Sequence, residues 1–158
     1  MQQKHIDYYI SQCLNLSKLS ICPRNKFGCV IVEPITNTIR STGYNNPPRN
    51  HTGLCGGNCC LREKNQIKSG TSCEIGCFHA EQNAILLSAR NGISLNGCWA
   101  FVNGEPCLMC AKSLYHAGIV KIFILGGKYS SDGVDFLKQF NIEVVYYCNT
   151  SNLEPDFE

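Results

Sequence analysis

The chain has 158 residues, 44% of them hydrophobic, and its 14 basic and 12 acidic residues give a formal net charge of +2. This length suits a single domain, predicted to span residues 1–158 around one buried core. The balanced charge, without a long run of one sign, argues against a nucleic-acid-binding protein, which concentrates Lys and Arg on one face. No apolar run approaches the ~20 residues that cross a bilayer, so we expect no membrane contact.

Twelve cysteines are an unusual number for a chain of this size. They indicate either disulfides in a secreted protein or thiols kept reduced for metal binding. The first ten residues carry Lys4, His5 and Asp7 where a signal peptide would have an apolar core, so we expect a cytoplasmic protein with reduced thiols. Cys22 precedes Pro23, and the sequence indicates no partner for it. Four cysteines in apolar segments are predicted to be small core residues: Cys13, Cys29, Cys98 and Cys148.

The first half of the chain predicts a helix, a hairpin and a long irregular segment. Hydrophobic spacing predicts a helix over residues 4–19, which ends before Pro23. Residues 27–33 and 38–44 read as two strands of a β-hairpin. Residues 45–78 hold five cysteines and little apolar periodicity. A loop of this length inside a domain is usually functional, so we interpret it as a Cys-rich insertion with a short helix near residues 61–66.

Regular alternation begins at residue 79. Apolar patterning predicts helices over residues 79–90, 107–117 and 132–140, with Asp132 as the N-cap of the last one. Strands are predicted over residues 97–103, 119–125 and 142–147. A hairpin followed by alternating strands and helices predicts the α/β class, as a three-layer α/β/α sandwich with a mixed sheet of about five strands.

Two short motifs lie at predicted helix starts. His79-Ala80-Glu81 and the later run of residues 106–110 (PCLMC) together form the H-x-E…P-C-x-x-C signature of zinc-dependent nucleobase deaminases. Cys107 and Cys110 are three residues apart, so their sulfurs share one helix face, and the positive helix N-terminus favours the thiolate form. With His79 as a third ligand, the fourth tetrahedral position stays open for water, as in catalytic zinc sites.

Glu81 is the predicted catalytic group of this zinc site. Side chains two residues apart on a helix diverge, so Glu81 is expected beside the substrate while His79 binds the metal. Zinc lowers the pKa of bound water to ~7, and we expect the resulting hydroxide to attack C4 of a cytosine base. Glu81 would then shuttle protons to N3 and to the departing ammonia. The Ala80 N–H, near a helix N-terminus, is expected to donate to the carbonyl oxygen of the base.

Each motif alone has a more ordinary interpretation. A Cys-x-x-Cys can be redox-active or structural, and His-Ala-Glu on a helix is more often a solvated face. The conjunction of both halves, in this order and at two helix starts, favours a catalytic zinc site.

These residues resemble the cytidine and deoxycytidylate deaminase superfamily, and within it most closely the deoxycytidylate (dCMP) deaminases. The resemblance runs from about residue 18 to residue 147 and includes residues 79–85 (HAEQNAI) and 43–45 (GYN). It implies a cytidine deaminase-like fold and the hydrolysis of dCMP to dUMP and ammonia. By position, the resemblance places Asn45 against the deoxyribose, and Arg24 and Tyr129 along the nucleotide pocket.

The same resemblance implies a homo-oligomer, often a hexamer, with dCTP and dTTP as effectors. Asn46 departs from the family, because Gly is common there in a loop that contributes to triphosphate regulation in some members. Residues 105–110 (EPCLMC) resemble the tRNA adenosine deaminase branch as well. The open alternatives are dCTP, CMP, cytidine or a tRNA adenosine as substrate, or a non-catalytic zinc-binding module that binds nucleic acid or protein.

The cysteines of the insertion predict a second, structural zinc ion. Cys55 and Cys60 form one near pair, Cys73 and Cys77 form another, and twelve residues separate the two pairs. This spacing is typical of closed zinc sites. A loop with few apolar residues cannot offset its own ordering entropy, so a metal would order it. In this second site Cys59 is an alternative to Cys60, and His51 is an alternative to Cys55. The competing interpretation is a set of reduced thiols without metal. The predicted ligands are Cys55, Cys60, Cys73 and Cys77.

Overall fold

A mixed β-sheet forms the centre of the computed structural model, which describes residues 1–47, 59–68, 75–126 and 131–148. Its five strands in the described residues are β1 (Gly28–Glu33), β2 (Thr38–Tyr44), β3 (Trp99–Val102), β4 (Lys121–Ile124) and β5 (Glu143–Tyr146). They lie in the order β2-β1-β3-β4-β5. β1 is antiparallel to both β2 and β3, while β3, β4 and β5 run parallel. The predicted five-stranded mixed sheet is confirmed.

The helices begin and end within a few residues of the predicted bounds. They are α1 (Gln3–Ser17), α2 (Leu61–Lys64), α3 (Ala80–Arg90), α4 (Leu108–His116) and α5 (Ser131–Gln139). The prediction of Asp132 as an N-cap was wrong by at least one position, because α5 already includes Ser131. Asp132 lies in the first turn instead, where an acidic side chain still complements the positive helix end.

Alternation along the strands places helices on both faces of the sheet. Cys29 and Ile31 of β1 belong to a core that includes buried residues of α3, α4 and α5. Val30 and Val32, which point the opposite way, belong to a second core with Tyr9 and neighbouring residues of α1. Because successive strand residues face opposite sides, one sheet supports both layers. The result is the predicted α/β/α sandwich, with α1 alone covering one face of the described sheet.

The cysteine expectations have mixed outcomes. Cys13, Cys29 and Cys98 are buried as predicted, but Cys148 is exposed, because it lies two residues after the end of β5. Every described cysteine is a free thiol. None of the described helices has both the length and the apolar character needed to cross a membrane.

Candidate active site

Three metal-ligating side chains meet where α3 and α4 begin. His79 is the N-cap of α3, Cys107 is the N-cap of α4, and Cys110 lies in the first turn of α4. His79 Nδ1 lies 3.5 Å from Cys107 Sγ and 3.4 Å from Cys110 Sγ, and all three atoms are within 4.8 Å of one another. Ligand atoms around a tetrahedral zinc ion are about 3.6 Å apart. The nitrogen–sulfur donor set and its spacing therefore fit zinc and leave one of four positions open.

The pKa values of the two thiols in this set are shifted in opposite directions. The Cys110 thiol donates a hydrogen bond to Cys107 and, with His79, lowers the pKa of Cys107 to about 4. The same bond and burial raise the pKa of Cys110 above its ordinary value. The pKa of His79 is raised, mainly by its hydrogen bond with Cys107. A metal requires both thiolates and a neutral imidazole, so cation binding here is coupled to proton release.

The start of α3 is held against the sheet by backbone contacts. The N–H groups of Asn46 and Phe78 donate to each other's carbonyl oxygens at 3.2 and 3.0 Å. β2 passes so close to α3 that a Cβ atom at Gly43 would lie 2.2 Å from the Ala80 carbonyl oxygen. Only glycine permits this approach. These contacts fix the position of His79, which stands between Phe78 and Ala80.

Glu81 lines the same cavity as His79 and Cys107 but is not part of the ligand set. Its side chain is only 7% exposed, and burial raises the pKa of its carboxyl group above the ordinary value. Ala80 is buried at the first position of α3, where backbone N–H groups have no helical partner. The cavity is lined by Cys22, Arg24, Asn25, Phe27, Gly28, Asn45, Cys60, Arg62, Cys77, His79, Ala80, Glu81, Val102, Gly104, Glu105, Pro106 and Cys107.

Two of the residues predicted to contact the nucleotide, Asn45 and Arg24, line the cavity. Asn45 is buried at the cavity wall, where its Oδ1 accepts the Phe27 N–H at 2.7 Å and its Nδ2 donates to the Asn25 carbonyl at 2.8 Å. It therefore also orders the segment that precedes β1. Arg24 lines the cavity and donates from Nη1 to the carbonyl of Ile67 at 3.1 Å. Tyr129 lies outside the described residues.

Two cysteines of the insertion share the cavity with Cys22, for which the sequence indicated no partner. Cys60 is buried, Cys77 is partly buried, and both line the cavity, whereas Cys59 is exposed. Cys22 lines it too, and a hydrogen bond with Cys77 lowers the pKa of Cys22 to about 5. Three further candidates lie outside the described residues, so their predicted roles stay predictions: His51, Cys55 and Cys73. Within the part of the chain that the structure describes, only the His79 set brings three ligand atoms within 4.8 Å.

Three residues near the site were missed in the sequence. Asn103, at the end of β3, accepts the Gly28 N–H at 2.7 Å and donates to the Lys26 carbonyl at 3.0 Å. Gly133 of α5 touches the backbone of the segment that enters α4. A glycine inside a predicted helix is a usable signal for such packing. Arg62 lines the cavity from α2, and the sequence carries no signal for that position.

This geometry defines an α/β protein with a His-Cys-Cys site suited to zinc and a buried carboxylate beside it. The family model for the cytidine and deoxycytidylate deaminase zinc-binding region matches residues 3–126. That match covers more than half of the chain, and the chain belongs to this family. The resemblance inferred from the sequence motifs is confirmed.

Several relatives are similar over most of this chain. The deoxycytidylate deaminase of Schizosaccharomyces pombe is 31% identical over 117 residues, which cover 73% of this chain and 35% of that protein. The deoxycytidylate deaminase of Mycobacterium phage D29 is 30% identical over 122 residues, covering 73% of this chain and 90% of that protein. The chain spans less than half the length of the two yeast relatives it matches, 35% and 45%.

A solved structure extends the similarity to the fold. The crystal structure of dCMP deaminase from the cyanophage S-TIM5, in complex with dCMP and dUMP, is 28% identical with a TM-score of 0.77. The alignment covers 93% of this chain and 99% of that chain. The cytidine deaminase-like fold expected from the sequence is therefore confirmed.

Proposed function

We propose that this chain hydrolyses dCMP to dUMP and ammonia. The observation that carries the proposal is a set of three ligand atoms within 4.8 Å of one another, beside a cavity that two of the three residues line together with the buried Glu81. The crystallised cyanophage relative, which contains dCMP and dUMP, supports the choice of substrate. The three ligands are His79, Cys107 and Cys110.

The ligand set would hold zinc with one coordination position open. A zinc ion there would supply Lewis acidity, which lowers the pKa of a water molecule to ~7. Water oxygen bonds to C4 of the cytosine ring, the C4–amino bond breaks, and ammonia leaves. Glu81 takes the proton of the attacking water, delivers it to N3, and then protonates the departing amino group. Because Glu81 is buried beside the ligands without joining them, its carboxylate is available for these transfers.

The cavity walls orient the base and sugar in this proposal. The Ala80 N–H at the start of α3 donates to the carbonyl oxygen of the base. Asn45 contacts the deoxyribose from the wall that it also orders through Phe27 and Asn25. An oriented substrate reacts faster because the entropy of alignment has already been lost on binding.

Ammonia release tests the proposal directly. The wild-type chain is compared on dCMP, CMP, dCTP, deoxycytidine and a tRNA anticodon hairpin, and the highest kcat/KM is expected for dCMP. Glu81→Gln should keep bound zinc and lower kcat about 10²–10⁴-fold, because general acid–base catalysis contributes on that order. The matched control is Glu143→Gln, since Glu143 pairs with Lys121 on the exposed edge of β5. Undiminished turnover by Glu81→Gln would contradict the proton-shuttle role.

We also propose a second zinc ion, bound by cysteines of the insertion with Cys22. Three observations support it: Cys22 and Cys77 are hydrogen-bonded, Cys60 lines the same cavity, and all three are free thiols. Thiolates are preferred ligands of structural zinc. Metal analysis is expected to find two zinc ions per chain, and a content of one would contradict this site.

The remaining expectations stay predictions. They are the single domain over residues 1–158 with its insertion at 45–78, the homo-oligomer, the effectors dCTP and dTTP, and the cytoplasmic location.

A further inference from the structure

Phe27 is the largest apolar side chain on the described lining of the cavity. It is partly buried and packs against the core cluster that includes Ala80, a residue of the same lining. Glu81 and the candidate zinc ligand His79 also belong to this lining. The bulk of Phe27 is therefore part of the wall within which a base beside Glu81 must fit.

The Phe27 ring lies where a side chain at position 104 would project. A Cβ atom at Gly104 would lie 2.6 Å from Cε1 of Phe27, a separation that real Cβ atoms do not show, and 3.0 Å from Cδ1. Gly104 lines the cavity three residues before Cys107, and its φ is not in the left-handed region. The ring, and not the backbone conformation, is therefore what favours glycine here. Positions 27 and 104 form one large–small pair in the cavity wall.

Two asparagine side chains hold the backbone on both sides of this ring. Asn45 accepts the Phe27 N–H through Oδ1 at 2.7 Å and donates its own backbone N–H to the Phe27 carbonyl at 3.1 Å. Asn103 accepts the Gly28 N–H at 2.7 Å and donates to the Lys26 carbonyl at 3.0 Å. A side-chain amide offers both donors and an acceptor, so each asparagine pairs with this backbone as a neighbouring strand would. The Cα of Phe27 is therefore fixed, which limits where its ring can move.

We propose that Phe27 sets the size of the base that this cavity accepts. Its ring, seated on Gly104, admits the single ring of a pyrimidine and excludes the fused rings of a purine. The inference rests on the proposed deaminase function and names the residue that selects the class of base. A cavity rejects a larger ligand by steric overlap with a wall that does not yield, and the two asparagines hold this wall in place.

Calorimetry with two nucleotides of equal sugar and phosphate tests the proposal. The zinc-loaded chain is titrated with dUMP and with deoxyinosine 5′-monophosphate (dIMP), neither of which carries the amino group that the reaction removes. Phe27→Ala should narrow the preference for dUMP over dIMP by about tenfold or more, since size differences in an apolar pocket change affinity about 10- to 200-fold. Phe27→Leu should shift the preference less, in the same direction. Phe140→Ala is the matched control, because Phe140 is exposed just after α5, and it should keep the wild-type preference.

A volume swap separates the wall from general packing. Phe27→Ala combined with Gly104→Leu exchanges the large and small positions, and volume-conserving changes are tolerated best, so the preference for dUMP should return toward wild type. An unchanged preference in both Phe27→Ala and Phe27→Leu, or a swapped variant no more selective than Phe27→Ala, would overturn the role of Phe27. A wild-type chain that binds dUMP but releases no ammonia from dCMP would refute the deaminase function alone, since the two affinities still decide the role of Phe27.

Discussion

The side chain of Tyr146 on β5 forms a hydrogen bond with a residue of the candidate site. Its hydroxyl donates to Glu105 Oε1 at 2.6 Å, and the Glu105 carboxylate raises the pKa of Tyr146 to about 12. Glu105 is buried at the cavity wall, two residues before Cys107, a proposed zinc ligand. The bond therefore fixes the segment that brings this ligand into place.

Tyr146→Phe removes that bond and leaves Glu105 buried without its hydroxyl partner. We expect the free energy of unfolding to fall by about 1–2 kcal/mol, measured by urea denaturation, and zinc affinity to fall as the segment before Cys107 loosens. The control is Tyr147→Phe, because the Tyr147 hydroxyl also donates to a carboxylate, Asp7, at 2.7 Å, but away from the cavity. Equal zinc affinities in the two variants would show that the Tyr146 bond is merely structural.

At the scale of elements, the site depends on a helix that supplies no ligand. α5 packs against the start of α4 through Gly133, where an added Cβ atom would lie 2.0 Å from the Pro106 carbonyl oxygen and 3.0 Å from that of Cys107. No real Cβ atom lies this close to a backbone oxygen, so only glycine fits at this position. α5 therefore lies directly against the backbone that presents the Cys107 thiol.

Gly133→Ala should displace α5 from this backbone. Alanine favours a helix over glycine by about 0.5–1 kcal/mol, but the overlap with Pro106 costs about 1–3 kcal/mol, so we expect a net loss of stability and weaker zinc binding. Gly92→Ala is the contrasting variant, since Gly92 has φ +66 and open space around its Cα. It should lose stability by about 1–2 kcal/mol from backbone strain and keep its zinc affinity. Competition with a chromophoric chelator measures both affinities. Tighter or equal zinc binding by Gly133→Ala would refute the packing argument.

The elements of the whole molecule could be predicted from the sequence because each has a local pattern. A run of β-branched and apolar residues predicted β1, with β2 as the returning strand of the hairpin, and apolar spacing predicted α3 and α4, with errors of a few residues at their ends. The candidate zinc ligands could be predicted for the same reason, since His79 and the Cys107–Cys110 pair stand at helix starts in a motif of fixed spacing.

Contacts between distant segments carry no such local pattern. Cys22 contacts Cys77 although 55 positions of sequence separate them, and neither residue's neighbours indicate the other. Arg62 of α2 lines the same cavity as His79, seventeen positions later in the chain. Such approaches are set by tertiary packing, so they became visible only in the structure.

The proposed second zinc ion belongs to the scale of the whole molecule, because the Cys22–Cys77 contact links the insertion to the connection between α1 and β1. Adjacent cysteines offer a matched test, since Cys60 is buried at the cavity and Cys59 is exposed. The wild type is expected to hold two zinc ions per chain.

Cys60→Ser is therefore expected to leave one zinc ion per chain, while Cys59→Ser keeps two. A ligand present at 100 times its Kd stabilises the folded state by about 2.7 kcal/mol, and in a chain of this size each kcal/mol moves Tm by about 2–4 °C. Loss of the second ion should therefore lower Tm by about 5–10 °C in Cys60→Ser and leave Cys59→Ser near wild type. Calorimetry with metal analysis on the same samples measures both quantities. A lowered zinc content in Cys59→Ser alone would assign the ligand role to Cys59 instead of Cys60. One zinc ion in all three proteins would contradict the second site.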